Sequence, residues 1–112
     1  MARTTFSGPV ASTNGFIPGV GATITDVLTA TATIDFPSIT AASTSDSTGI
    51  TVTGAAVGDA VFVGTPATIE AGLVVTGYVS ATNTVKVRAA NVTALAINPA
   101  SGAFKVVVIK TA

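Results

Sequence analysis

The chain has 112 residues, five basic and five acidic side chains, no histidine, no cysteine and no net charge. That length supports one core and argues against two domains. Missing histidine and cysteine remove the commonest general base, thiolate metal sites, disulfides and the Ser–His and Cys–His nucleophile pairs, while a neutral balance with pI near 6.0 gives no reason to expect nucleic acid as a partner.

Charged residues make up only 9% of the chain, against about 25% in a typical soluble domain. Mean hydropathy is +0.72. Thr, Ala, Val, Ser and Gly fill the positions that Lys and Glu usually occupy. A surface this poor in charge favours self-association, so the chain reads as one that works packed against neighbours. No segment approaches 18 apolar residues, and the opening six residues carry no apolar run; neither a membrane span nor a signal peptide is expected.

Residues 1–27 read as an extended N-terminal arm. Gly8-Pro9, Asn14-Gly15 and Pro18-Gly19 break any helical or strand period. Yet Phe6, Val10, Phe16 and Ile17 are spaced apolar anchors, which a free linker does not need. Fully stretched, such an arm reaches at most roughly 90 Å. The candidate contact residues of the arm are Phe6, Pro9, Val10, Phe16 and Ile17.

From Leu28 the chain alternates. Leu28, Ala30, Ala32, Ile34 and Phe36 fall on one face, and Thr29, Thr31, Thr33 and Asp35 on the other, which predicts a half-buried antiparallel strand ended by Pro37. A short strand is expected within 38–45, a type I turn at Asp46-Ser47-Thr48-Gly49, and a strand at 50–53. Residues 60–64 form a continuous apolar run, which predicts a strand covered on both faces. Residues 65–72 are the one place where a helical turn is expected, with Gly72 as its left-handed end. Strands are then predicted at 73–80, 84–89 and 104–109, with a loop over 91–102. Residues 28–112 thus form the body. Seven to eight short strands at about ten-residue spacing predict an all-β fold, an antiparallel β-sandwich or a jelly-roll-like barrel.

The acids Asp26, Asp35, Asp46, Asp59 and Glu70 have simple placements in turns, at strand starts or on a solvated face. No pair suggests a glycosidase dyad, and no dense acidic cluster suggests calcium. Residues 58–65 lack the Gly-Lys-Ser/Thr ending of a phosphate loop. No catalytic residue, cofactor or metal is expected. All five acids precede residue 71, while Lys86, Arg88, Lys105 and Lys110 lie in the last 27 residues. If these halves occupy different sides, Asp35, Asp59, Lys86 and Arg88 are candidate charge contacts between subunits. If strands from both halves interleave, the asymmetry disappears in space.

The residues also carry a resemblance. Val57-Gly58-Asp59-Ala60-Val61-Phe62-Val63, Pro66, Ala71-Gly72-Leu73, Tyr78-Val79-Ser80-Ala81, Asn83-Thr84-Val85-Lys86-Val87-Arg88, Asn91 and Pro99-Ala100-Ser101-Gly102 before a final apolar strand resemble a β module common among tailed-phage structural proteins. Phe6-Ser7-Gly8-Pro9-Val10 with Ser12 and Asn14-Gly15-Phe16 resembles the start of short phage proteins encoded near the major capsid protein. Residues 37–56 carry little of the match. The resemblance implies a capsid cement (decoration) protein: small, β-rich, usually trimeric, without catalytic residues, on the outer surface of the virion at local threefold junctions. Its implied partners are the major capsid protein and itself, as a homotrimer. A head-fibre or tail component fits the same residues, and a carbohydrate-binding β-sandwich is the further alternative. Tyr78, five Phe and no Trp supply few aromatic platforms for a sugar.

Overall fold

A computed structural model describes residues 3–112; the first two residues of the predicted arm lie outside the described residues. Seven strands occur in chain order: β1 (Ile24–Ile34), β2 (Thr44–Asp46), β3 (Ile50–Thr51), β4 (Ala60–Gly64), β5 (Leu73–Ala81), β6 (Thr84–Asn91) and β7 (Gly102–Thr111). The described residues contain no helix. All pairings are antiparallel. One sheet has the order β1-β7-β4; in the other, β6 is flanked by β5 on one side and by β2 and β3 on the other. The fold is therefore all-β with two separate sheets, the sandwich reading, and no closed barrel forms.

Alternation accounts for the core. On β6, Val85, Val87 and Ala89 are fully buried, and on β7, Phe104, Val106 and Val108 oppose them from the other sheet. Leu28, Ala30, Ala32 and Ile34 of β1 turn to the same interior, while Thr29, Thr31 and Thr33 face solvent, as the period of two requires. Phe36 and Phe104 meet edge to face with ring centroids 5.9 Å apart, the favoured geometry for two ring quadrupoles.

β4 and β5 belong to different sheets yet approach closely at Gly77. A Cβ there would lie 2.7 Å from both Val61 Cγ1 and Val63 Cγ2. Both obstructing groups are short branched chains with little freedom to retreat. Replacing Gly77 with Ala is expected to lower unfolding stability by about 1–3 kcal/mol, measured by urea denaturation.

Several local expectations are corrected. β1 begins at Ile24, so residues 24–27, read from sequence as the end of the arm, already belong to the sheet. Residues 46–49 are not a turn. Between the pairs Asp46/Arg88 and Ile50/Val85, four steps on one strand face three on β6, so β2 and β3 are one edge strand interrupted by a bulge. Ser47 fills the gap: its N–H donates to the Val87 carbonyl at 2.8 Å, and its Oγ accepts the Val87 N–H at 3.0 Å. Residues 65–72 form two successive turns instead of a helical one, closed by Ile69 N–H to Pro66 O and Leu73 N–H to Glu70 O. Gly72 is left-handed there, with φ 91°. β4 is not covered on both faces; only Val61 and Val63 turn inward, and Phe62 is 58% exposed.

Candidate functional site

The arm is the least packed part of the chain. The Cα radius of gyration is 17.3 Å and the molecule is 56 Å long, whereas a compact chain of this length has a radius near 13 Å. Phe6, Val10, Phe16, Ile17 and Val20 are all more than half exposed, with Phe6 at 66%. Pro9 is exposed as well. The arm is held by a backbone bridge to β1, with Phe16 N–H donating to Ile24 O at 2.9 Å and Ile24 N–H to Phe16 O at 2.7 Å, and by Ala112 N–H donating to Thr23 O at 3.0 Å. Just before this bridge the chain turns at residues 13–14, with the Ser12 hydroxyl donating to the Gly15 carbonyl. Gly15 holds φ 94°, and a Cβ there would lie 2.6 Å from the Ile24 carbonyl oxygen, so only glycine fits. An open cleft of about 330 Å³ separates Val10, Ser12 and Phe16 from residues 24–27.

The outer face of the β1-β7-β4 sheet is apolar at its middle. Phe62 lies opposite Val107, itself opposite Thr29; Ala60 lies opposite Ile109, itself opposite Val27. Val27 and Phe62 are each 58% exposed.

The other sheet carries a charged cluster on its outer face. Arg88 grips Asp46 through two hydrogen bonds, Nε to Oδ1 at 2.7 Å and Nη2 to Oδ2 at 3.0 Å, and its guanidinium lies 4.7 Å from the Tyr78 ring centroid. The Tyr78 hydroxyl donates to Asp46 Oδ2 at 2.6 Å. The Arg88 hydrogen bond, then that of Tyr78, holds the Asp46 carboxyl at about 2, and the same Asp46 contact pushes the Tyr78 phenol up. At the end of the β1-β7-β4 sheet, where β7 finishes and β4 begins, Lys110 Nζ donates to Asp59 Oδ2 at 2.7 Å. That bond, aided by the Ala56 N–H, lowers the Asp59 carboxyl.

These pairs answer the charge question. Acids from the first part of the chain meet bases from the last part inside one molecule, so the asymmetry along the sequence does not survive as two charged sides. Of the four residues read as contacts between subunits, Arg88 and Asp59 are engaged by Asp46 and Lys110 of their own chain. Asp35 and Lys86 form no ion pair among the described residues. Asp46 and Lys110 were not legible as partners, since their pairing depends on which strands become neighbours.

Because both groups of the Asp46–Arg88 pair face solvent, water screens their attraction and its contribution to stability is small. Asp46 has a folded pKa below its unfolded value, so its contribution is complete above about pH 4 and is lost as pH falls toward 2. Asp46→Asn is expected to flatten the acid limb of the stability profile in that window, followed by denaturation between pH 2 and 5.

Asn91, at the end of β6, is the most connected buried polar side chain. Its Nδ2 donates to Ile39 O at 2.9 Å and Leu95 O at 2.8 Å, and its Oδ1 accepts from Thr93 N–H at 2.9 Å and Thr93 Oγ1 at 2.7 Å. Every hydrogen-bonding position of the amide is used, which makes it the clamp of the 92–101 loop. Among the described residues, no three His, Cys, Asp or Glu side chains converge as metal ligands would.

The molecule is thus a two-sheet β protein with saturated polar clusters, an exposed apolar sheet face and a projecting arm. Comparison with protein-family models, with curated proteins and with solved structures finds no match for this chain.

Proposed function

We propose that this chain is a non-enzymatic structural protein that binds and stabilises the mature capsid of a tailed bacteriophage as a cement protein, acting as a small oligomer on the outer shell. One observation carries the reading: an arm with five exposed apolar side chains stands off a rigid β body. A solitary molecule gains nothing from such an arm, whereas a shell offers neighbouring surfaces that desolvate it. Buried aromatics dominate interface energies, which makes Phe6 and Phe16 the principal anchors, with Pro9, Val10 and Ile17 beside them. The apolar face around Phe62 supplies a second contact surface. The low charge content and the resemblance to tailed-phage structural modules support the same reading. A protein that binds only the expanded lattice stabilises it by mass action, without chemistry.

Deleting residues 2–20 is expected to leave the body folded by circular dichroism and to weaken binding to expanded phage heads roughly tenfold or more, about 1.4 kcal/mol or above. Sedimentation of heads with bound protein measures this. Undiminished binding by the truncated chain overturns the role of the arm, and a few copies per virion instead of stoichiometric coverage overturns the cement reading in favour of a fibre or tail part.

A further inference from the structure

β1 is an edge strand of eleven residues, and most of its outer side is bare. Its only strand partner along 26–34 is β7, and among the described residues no backbone or side-chain hydrogen bond reaches those residues from any other element. Alternate residues there point their N–H and C=O groups away from β7. Soluble proteins guard such edges with lysine, proline, a bulge or a covering segment. Over residues 26–34 there is neither lysine nor proline, and the sole register shift lies at Ile24/Asp26.

The one place where this edge is covered names its occupant. Phe16 of the arm bridges Ile24 in both directions, so the arm is already a strand partner for β1. The rest of the arm does not pair along the same molecule: beyond the 13–14 turn, Val10 and Ser12 face residues 24–27 only across the open cleft, and among the described residues no hydrogen bond joins residues 3–12 to β1. Lengths agree: the bare edge covers nine residues, 26–34, and the deflected arm ten, 3–12. Charges agree too. Arg3 is the arm's sole charged side chain, while Asp26 within β1 and Asp35 just after it are exposed and form no ion pair among the described residues.

We infer that residues 3–12 of one copy add as a strand to the free edge of β1 of a second copy. This builds on the proposed arm-mediated assembly by naming the surface that receives the arm. Pro9 has no N–H, so its nitrogen must face away from β1, which leaves Thr4, Phe6, Gly8, Val10 and Ser12 to hydrogen-bond with it. Phe6 and Val10 then lie on one face of the extended sheet. Passed from each copy to the next, the contact is heterologous, the type that forms a closed ring where the rotation between copies closes.

The chain has no native cysteine, so disulfide trapping reports the contact directly. Val10→Cys on a size-tagged full-length chain is mixed with Thr29→Cys, Thr31→Cys or Thr33→Cys on an untagged one. A linked product of mixed size is expected for at least one of the three, and none with Thr76→Cys on the opposite sheet. Val10→Asp, an exposed substitution in the full chain, is expected to shift sedimentation from oligomer to monomer and to speed exchange of alternate β1 amides at least tenfold. Links formed solely within one chain, equal linking to Thr76→Cys, an unaltered oligomer and exchange pattern in Val10→Asp, or a wild-type chain that stays monomeric at high concentration each overturn the inference. No phage head is present in these measurements. Failure to decorate heads therefore removes the capsid role while leaving the arm exchange standing, and the reverse holds equally.

Discussion

Replacing Phe104 with Ala is expected to lower the unfolding free energy by about 3–5 kcal/mol, the range for emptying a large buried aromatic site. Phe104 is 1% exposed, sits on the central strand of its sheet and forms the edge-to-face pair with Phe36. Its neighbours on the inner face, Val106 and Val108, are fixed by pairing on both sides and cannot collapse into the space. Since domains of this size are stable by about 5–15 kcal/mol, the loss takes much of the total. Phe104→Leu, which refills most of the volume, is expected to recover more than half of the loss. Guanidinium denaturation of the three proteins measures both effects; a loss below 1 kcal/mol for the Ala variant would contradict the placement of this ring in the core.

The second large effect lies at Asn91. Asn91→Ala leaves the Thr93 N–H without its partner, while the Ile39 carbonyl keeps the Ile97 N–H and the Leu95 carbonyl keeps the Thr93 hydroxyl; one unsatisfied group of this kind costs about 1–3 kcal/mol. A loss of about 1–3 kcal/mol is expected, with faster proteolysis in the 92–101 loop. Asn91→Asp is the sharper test. A carboxylate cannot donate to the two carbonyls that Nδ2 serves, and burial disfavours its charge, so its folded pKa is raised above the unfolded value. A raised acid pKa penalises the folded state at neutral pH and less so as pH falls through that pKa. The Asp variant is therefore expected to gain stability relative to the parent between pH 7 and 4. A pH-independent difference would show that the amide's donors are not what holds the loop.

Much of the architecture was legible because a period of two leaves a mark in composition. The Thr/apolar alternation of β1, the Val-Lys-Val-Arg run of β6 and the final Phe-Lys-Val run of β7 each announced which side was buried. What was not legible depends on pairing. The 46–49 segment carries the residues of a turn, but its neighbours Thr44 and Ile50 are both registered on β6, so the chain is held straight and relieves the mismatch as a bulge. Phe62 sits in an unbroken apolar run; only the sheet's orientation decides that it faces outward while Val61 and Val63 face in. The arm was visible as broken periodicity with anchors. Its turn and its single bridge to Ile24 were not, since both depend on where β1 begins. The pairs Asp46–Arg88 and Asp59–Lys110 join residues far apart in the chain, and no local spacing foretells them.

The order of the β1-β7-β4 sheet bears on how the protein is made. Its middle member, β7, leaves the ribosome after the other six strands described. Until those ten residues emerge, β1 and β4 have no partner and half of the inner layer is missing. The nascent polypeptide must therefore keep β1 and β4 unpaired, with apolar strands open to solvent, until β7 emerges and closes the sheet. A premature stop ahead of residue 102 would thus yield an aggregation-prone fragment in place of a smaller native body.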